Sequence, residues 1–371
     1  MLGINQIRRR RLWLICASAT IFLVVCFYLS TGREPRETSI SQQPAIVSPS
    51  SKEFVLSPSK SSDPTPPPQN TAYTRTLVIA KLQEEDASWV DAIVNELPQL
   101  TSAVYTVDNP NTTLTVPANK GHEAMVYLTY IIDHYSQLSD ITIFMHSHRI
   151  TWHNNDFLKS DSAAMVKLLK NEHVIRSGYM NLRCHWEPGC PDHIHPSAGS
   201  ITNDITNIPE AAVLAKSWEM LFPNAAVPEV LSQPCCGQFA VSAKHIRRVS
   251  LNEYISYRDW LLETPLEDMV SGRVWEYIWQ WLFTGQPEFC PEETYCYCEG
   301  YGVCFDPSDY RDYFKMRDQT AGILAEIDRL RSANNTADIP EGRILAMDAE
   351  VQRLHQKMDE IKHSGLKDVV L

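Results

Sequence analysis

The sequence predicts an α/β domain with a mixed, mostly parallel sheet and flanking helices, preceded by a transmembrane helix and followed by a helical hairpin. Three patterns lead to this prediction. An apolar run covers residues 12–30, short β-branched runs alternate with amphipathic helical patterns over residues 73–315, and apolar residues recur at heptad spacing within residues 316–371. Strands that alternate with helices are typical of parallel sheets.

The overall composition excludes one class of protein. The chain has 371 residues, of which 44% are hydrophobic, so it can bury a core of one or two domains. Its formal net charge is −12, whereas proteins that bind a phosphate backbone present a net basic surface. We therefore expect no nucleic acid partner.

The N-terminal segment is predicted to be a membrane anchor. Residues 1–11 form a short tail that ends in the four arginines Arg8–Arg11, and the apolar run of residues 12–30 follows. The run is long enough to cross a bilayer as a helix, and it stays apolar where a signal peptide would have a cleavage site. The arginines place the N-terminus in the cytosol. The rest of the chain is then lumenal or extracellular.

Residues 31–72 are rich in Ser and Pro, and this composition predicts a disordered stem that packs no core. A tail, one span, a stem and a lumenal domain form the layout of type II Golgi enzymes, which some surface receptors share. The layout favours an endomembrane location, with the Golgi membrane first and the cell surface as the alternative. The sequons at Asn111 and Asn334 predict N-glycans there.

The α/β region, residues 73–315, begins with three predicted strands. Residues 76–80, 103–107 and 141–145 are short apolar runs, and helical spacing of apolar residues separates them. In open α/β sheets, ligands bind beyond the carboxyl ends of the strands. We therefore expect a site in the segments that follow the second and third strands, where Asp108 and the pair His146 and His148 occur.

Histidines are concentrated near that predicted site. Nine of the twelve fall between His122 and His195. The functional hypothesis is a divalent-metal or phosphate site that uses His146, His148 and His153 with Asp156, and Mn²⁺ or Zn²⁺ as the metal. The alternative is that these are polar loop residues bonded to the backbone.

Eight of the ten cysteines lie beyond the predicted span. An even number in an oxidising compartment predicts disulfides, and zinc is the alternative for residues 290–304. Residues 184–196 are either a disulfide-pinned loop or a Cys2His2 zinc site. We expect Cys235 and Cys236 to have different partners, because a bridge between neighbours is strained. The disulfide candidates are Cys184, Cys190, Cys235, Cys236, Cys290, Cys296, Cys298 and Cys304.

One acidic residue lies within an aromatic-rich helical stretch. Glu276 is flanked by Trp275 and Tyr277, whose rings are expected in the core. A carboxyl group among aromatic rings has a raised pKa and can act as a general base. The alternative is an ion pair with Arg273 or another arginine.

Four motifs carry a family resemblance over about residues 75–305. They are the segment 119–132, Phe144-x-His146-x-His148, the segment 181–190 and the segment 235–242. With these motifs the chain resembles the mainly fungal family called domain of unknown function 3431, which implies no settled activity.

A looser similarity links the order of elements to GT-A glycosyltransferases. In those enzymes an acidic turn after the first strand receives the nucleotide, and a D-x-D after a later strand holds Mn²⁺. Here His146-Ser147-His148 stands in the D-x-D place, and histidine supplies no negative charge. The resemblance then implies that Lys120, Arg149 or Arg183 neutralises phosphates instead.

The leading hypothesis is a glycosyltransferase-like enzyme that uses a nucleotide sugar and a glycan or small-molecule acceptor. The alternatives are a metal-assisted membrane-bound hydrolase or biosynthetic tailoring enzyme, and a non-catalytic lumenal binding or scaffold protein. The proposed catalytic residues are Glu276, Glu123 and Asp156; the proposed nucleotide- or substrate-binding residues are Asp108, Asn119, Lys120, Arg149, Trp152 and Arg183; and the proposed metal ligands are His146, His148 and His153.

The C-terminal segment, residues 316–371, is predicted to be a helical hairpin. Its apolar residues step by three and four, first over 316–330 and again over 344–361, with a break at residues 334–340. Each stretch is too short for a stable free coiled coil. The hairpin either packs on the α/β domain or mediates homo-oligomerisation.

Overall fold

The computed structural model of the chain describes residues 72–197, 208–332 and 341–366. These ranges contain five strands and twelve α-helices. The strands are β1 (Arg75–Lys81), β2 (Leu100–Thr106), β3 (Ile141–His146), β4 (Tyr179–Asn181) and β5 (Phe239–Ser242). The helices are α1 (Ser88–Glu96), α2 (Glu123–His134), α3 (Ser162–Leu168), α4 (Asn171–Ser177), α5 (Ala211–Leu221), α6 (Ala243–Ile246), α7 (Leu251–Glu263), α8 (Asp268–Glu276), α9 (Trp279–Thr284), α10 (Glu293–Tyr301), α11 (Pro307–Ser332) and α12 (Glu341–Leu366).

The five strands form one mixed sheet in the order β2-β1-β3-β5-β4. β1 pairs in parallel with β2 and β3, whereas β5 is antiparallel to both of its neighbours. The predicted mixed α/β sheet with flanking helices is therefore confirmed, and the three predicted strands are β1, β2 and β3. Ala80 is in register with Tyr105 and His146, so these three strands end at one edge of the sheet.

A hydrophobic core covers each face of the sheet. Successive β1 residues alternate between the two cores, with Val78 in the first and Leu77 and Ile79 in the second. Burial of both faces explains the apolar runs in β1 and β3, whereas the edge strand β2 exposes Thr101 and Ser102. Full burial of one large side chain such as Phe144 contributes about 1.5–3 kcal/mol.

Four disulfides involve all eight candidate cysteines. Cys184 bonds to Cys296, Cys190 to Cys290, and Cys298 to Cys304, so the loop over residues 184–190 is pinned to the segment 290–296. The expectation of different partners for Cys235 and Cys236 is wrong, because these neighbours bond to each other. Cys236 has a φ of +89° and Gly237 a φ of +60°, so the backbone at this bridge has the positive φ values that are uncommon for residues other than glycine.

The two long C-terminal helices pack against each other and against the second core. Ile327 and Leu330 of α11 and Val351, Leu354 and Met358 of α12 are buried. α11 begins at Pro307, nine residues before the predicted start, and its first turns bury Tyr310 and Tyr313 in the second core.

The predicted tail, the predicted span and all but the last residue of the predicted stem lie outside the described residues, as does Asn334. Within residues 72–197, 208–332 and 341–366, the helices are all too short or too polar to cross a membrane.

Candidate functional site

A cavity of about 380 Å³ opens at the edge where β1, β2 and β3 end. Lys81 and His146 are the last residues of their strands, and both line it. Its position agrees with the rule that ligands bind beyond the carboxyl ends of parallel strands. The other polar residues of its lining are Glu85, Asn119, His122, Glu123, Ser147, His148 and His153.

A buried ion pair forms the floor of this central cavity. Glu123 begins α2, and its Oε1 lies 3.7 Å from Nε2 of His146. Burial alone would raise the pKa of Glu123, but the imidazolium of His146 beside it outweighs burial and lowers that pKa. Burial would likewise lower the pKa of His146, and Glu123 raises it instead. The pair therefore holds a carboxylate and an imidazolium next to each other.

A second buried carboxyl group lies behind the pair. A Cβ on Gly237 would meet Oε1 of Glu123 at 2.9 Å and Cγ of Glu276 at 3.3 Å, so both glutamates lie against this glycine. Burial and the nearby charge of Glu123 raise the pKa of Glu276 to about 8. Glu276 thus carries a proton at neutral pH. It is not one of the residues that line the cavity.

His153 completes the wall beside His146. The Nδ1 atoms of the two rings are 3.1 Å apart. Burial, and then the charge of His146, lower the pKa of His153 to about 4. His153 is therefore the neutral member of this histidine pair.

His148 is directed toward a different acid. Its Nε2 lies 3.7 Å from Oε1 of Glu85, and its side chain is largely exposed. No group of three or more His, Cys, Asp or Glu side chains within the described ranges has an arrangement that could hold a metal ion. His146 and His148 face different carboxylates, those of Glu123 and Glu85, rather than forming one ligand set.

Several predicted binding residues are occupied by other parts of the protein. Lys120 donates to the carbonyl oxygens of Leu262 and Thr264, and Arg149 binds Asp161 at 2.9 Å. The Asp108 carboxylate accepts a hydrogen bond of 2.8 Å from the backbone amide of Gln83. Of the proposed nucleotide- or substrate-binding residues, Asn119 lines the central cavity.

Arg183 and Trp152 pack against each other beside the cavity. Arg183 donates to the carbonyl oxygens of Trp152 and Glu187, each at 2.7 Å, and its guanidinium carbon lies 5.4 Å from the centre of the Trp152 ring. The ring also packs edge-on against His153. Trp152 nevertheless remains 62% exposed.

Asp156 belongs to another cluster. Its carboxylate binds Arg317 of α11 at 2.8 Å, and its amide donates to Nε2 of His185. Hydroxyl groups of Tyr297 and Tyr310 contact the two ring nitrogens of His185. Burial lowers the pKa of His185 to about 3. This cluster joins the disulfide-pinned loop to α10 and α11.

Two buried amides that the sequence analysis did not single out hold the site together. The Oε1 atom of Gln238 accepts from the His146 amide, and its Nε2 donates to Oδ1 of Asn154, both at 3.1 Å. Asn154 in turn donates to the Ser162 hydroxyl at 2.8 Å. The sequence could have indicated the role of Gln238, because this glutamine is the polar residue in the apolar run from Gly237 to Val241.

The chain belongs to the family described as "protein of unknown function (DUF3431)", which matches it over residues 77–299. The match covers the sheet, the central cavity and most of the disulfide-bonded segment. No curated protein and no solved structure matches the chain.

Proposed function

We propose that the α/β domain is a glycosyltransferase-like enzyme that binds a nucleotide sugar in the central cavity. The observation that carries the proposal is the buried pair of Glu123 and His146 on the floor of a cavity at the carboxyl ends of three parallel strands. Withdrawing two charged groups largely from water costs free energy, and functional sites are where such arrangements concentrate.

The electrostatics of the cavity suit an anionic diphosphate next to polar sugar hydroxyls. Lys81 and the charged His146 supply positive charge, Asn119 supplies hydrogen-bonding groups, and the carboxylates of Glu85 and Glu123 supply acceptors for sugar hydroxyls. A volume of about 380 Å³ lies within the range of about 300–1,000 Å³ that small-molecule sites occupy. The donor's remaining groups would extend toward the open side of the cavity.

A divalent ion fits this site only when it binds together with the donor, whose phosphates supply further ligands. Nε2 of His146 is buried without a hydrogen-bond partner, and the Glu123 carboxylate lies close to it. A divalent ion would replace the proton on Nε2, since neutral imidazole and carboxylate are ligands that Mn²⁺ and Zn²⁺ accept, and phosphate oxygens complete many such sites. The ion would neutralise charge on the diphosphate.

The proposal includes a membrane anchor and a lumenal location, most simply in the Golgi. The four disulfides support an oxidising compartment, because cytosolic thiols are kept reduced. Asn111 is exposed in the loop after β2, as an N-glycan requires.

Thermal shift measurements on the full chain in detergent test the proposal. The probes are UDP-glucose, UDP-N-acetylglucosamine and GDP-mannose, each with Mn²⁺, Zn²⁺ or EDTA. A donor at a hundred times its Kd adds about 2.7 kcal/mol of stability. We expect one donor to stabilise the protein and His146→Ala to abolish this shift, whereas His355→Ala, an exposed histidine of α12, leaves it unchanged.

The other outcomes separate the remaining classes of protein. Stabilisation by metal alone would favour the metal-assisted hydrolase or tailoring enzyme. Absence of any shift with every nucleotide sugar would refute donor binding and favour the scaffold.

A further inference from the structure

A second cavity adjoins the central one. It has a volume of about 400 Å³ and lies between the start of α1 and the loop after β3. Glu85 and His148 line both cavities, so their side chains form the boundary between them. Transfer of a group between two substrates requires two neighbouring compartments that meet at the reacting atoms.

Glu85 is held rigidly at this boundary. Its Oε2 accepts hydrogen bonds from the Leu82 amide at 2.8 Å and from the Ser147 hydroxyl at 2.9 Å. Ser147 is itself fixed, because its carbonyl oxygen accepts a hydrogen bond from the Trp89 indole. The other oxygen, Oε1, faces the exposed His148 ring at 3.7 Å, which is longer than a hydrogen bond.

The two carboxylates of the central cavity are therefore not equivalent. Glu123 has 11% of its side chain exposed and faces the His146 ring on the floor. Glu85 has 23% of its side chain exposed and reaches both compartments. Of these two, Glu85 is the carboxylate that a molecule in the second cavity would meet.

The second cavity combines apolar and hydroxyl-binding surface. Ile150 presents an apolar side chain that is 62% exposed, and Asp86 and Ser88 present polar groups at the opposite wall. The bond from Arg149 to Asp161 holds the Ile150 loop in place. A sugar ring has a similar combination, with an apolar face of C–H groups and a rim of hydroxyls.

Building on the proposed function, we propose that the second cavity is the acceptor subsite for a carbohydrate and that Glu85 accepts the proton of its reacting hydroxyl. The hydroxyl oxygen forms a bond to the anomeric carbon of the donor. The bond from that carbon to the phosphate oxygen breaks, and the nucleotide leaves with the electron pair. The hydroxyl proton passes to Oε1 of Glu85.

Hydrolysis of the donor tests Glu85 in the absence of any acceptor, because water in the acceptor subsite is activated by the same carboxylate. The assay measures free sugar released by the full chain in detergent from the nucleotide sugar that gives the largest thermal shift. Glu85→Gln keeps the size of the side chain and an oxygen that can accept from Leu82 and Ser147. Glu84→Gln is the matched control, since Glu84 is the exposed neighbour and lines neither cavity.

We expect Glu85→Gln to lower the hydrolysis rate about 100-fold or more in a protein that the donor still stabilises in the thermal shift assay. Glu84→Gln should leave both unchanged. A Glu85→Gln protein that hydrolyses the donor like the wild type would overturn the role of Glu85 while leaving donor binding intact. A wild-type protein that gives no thermal shift with any donor would instead refute the proposed function.

A panel of methyl hexopyranosides tests the carbohydrate assignment. At a saturating concentration, at least one of them should compete with water for the donor sugar, so that a new glycoside forms in place of free sugar. Ile150→Ser should raise the KM for that glycoside several-fold. A panel in which no methyl hexopyranoside diverts the sugar would refute the carbohydrate subsite.

Discussion

The Nδ1 atoms of His146 and His153 lie 3.1 Å apart, yet the two rings hold protons differently. Glu123 raises the pKa of His146, whereas burial, and then the charge of His146, lower the pKa of His153 to about 4. One charged and one neutral imidazole therefore share a wall of the central cavity. Which ring is charged depends on Glu123, which is 30 residues before His153 in the chain.

Glu123→Gln should lower the pKa of His146. The variant removes the carboxylate that stabilises the imidazolium, while burial still disfavours the charge. The measurement is an NMR titration of ¹⁵N-labelled histidine side chains. Glu84→Gln, with the same loss of charge at an exposed position, should leave the His146 titration where it is in the wild type. An unchanged His146 titration in Glu123→Gln would contradict the buried pair.

Glu276→Gln should increase stability most at alkaline pH. The native state keeps the Glu276 proton up to pH about 8, whereas the unfolded chain releases it near 4.5. The free energy of unfolding of the wild type therefore falls as pH rises through this window, by on the order of 1 kcal/mol per pH unit.

The amide side chain of the Glu276→Gln variant cannot titrate, so the advantage of the variant should grow between pH 5 and pH 8. Urea unfolding at pH 5, 6.5 and 8 measures it, and Glu263→Gln, at the exposed end of α7, is the control. An advantage that shrinks toward pH 8 would show that Glu276 is ionised in the folded protein.

Gln238→Ala should destabilise the protein by about 2–4 kcal/mol. The change leaves the His146 amide and the Asn154 carbonyl without partners, and each unsatisfied buried group costs about 1–3 kcal/mol. Urea unfolding gives the free energy. Gln286→Ala removes an exposed glutamine and should change stability by less than about 0.5 kcal/mol. Similar values for the two variants would argue against the role of the Gln238 amide.

Gly237→Ala should cost more stability than Gly285→Ala. Both glycines have positive φ, +60° and +73°, so each alanine carries a backbone cost of about 1–2 kcal/mol. A Cβ at Gly285 meets nothing within 4 Å, whereas one at Gly237 comes within 2.9 Å of the Glu123 carboxylate. We therefore also expect Gly237→Ala, and not Gly285→Ala, to weaken the thermal shift with the donor. Equal effects on stability and binding would exclude the steric contact.

The disulfides should differ in how much they stabilise the fold. Cys190–Cys290 closes a segment with a sequence separation of 100, and Cys298–Cys304 one with a separation of 6. Because Cys184–Cys296 stays closed in the first variant, Cys190–Cys290 closes an effective loop of only roughly 12 residues. Loop-closure entropy then predicts a loss of about 3 kcal/mol for the double alanine variant of the first and about 2 kcal/mol for the second. Urea unfolding of the two variants measures both losses in the free energy of unfolding. A larger loss for Cys298→Ala/Cys304→Ala would contradict the prediction.

Part of the candidate site followed from the chain alone. The positions of His146 and His148 after a buried strand, and the raised pKa of a glutamate among aromatic rings, were both accessible from sequence. The roles of Lys120, Arg149 and Asp156 were not, because each side chain is engaged by a partner more than ten residues away. Glu85 lies in the acidic segment Glu84–Asp86 after the first strand, and only the two cavities show that it lies at their boundary.

The sequence by itself determined the α/β class, the three parallel strands and the heptad faces of the C-terminal helices, because these depend on the local spacing of apolar residues. The tertiary structure alone decided which ionisable groups meet. The Glu123 and His146 pair, the separation of His148 from His146, and the bond between Cys235 and Cys236 depend on distances of a few ångströms between side chains. Such distances are set by backbone turns and packing that no local pattern of residues encodes.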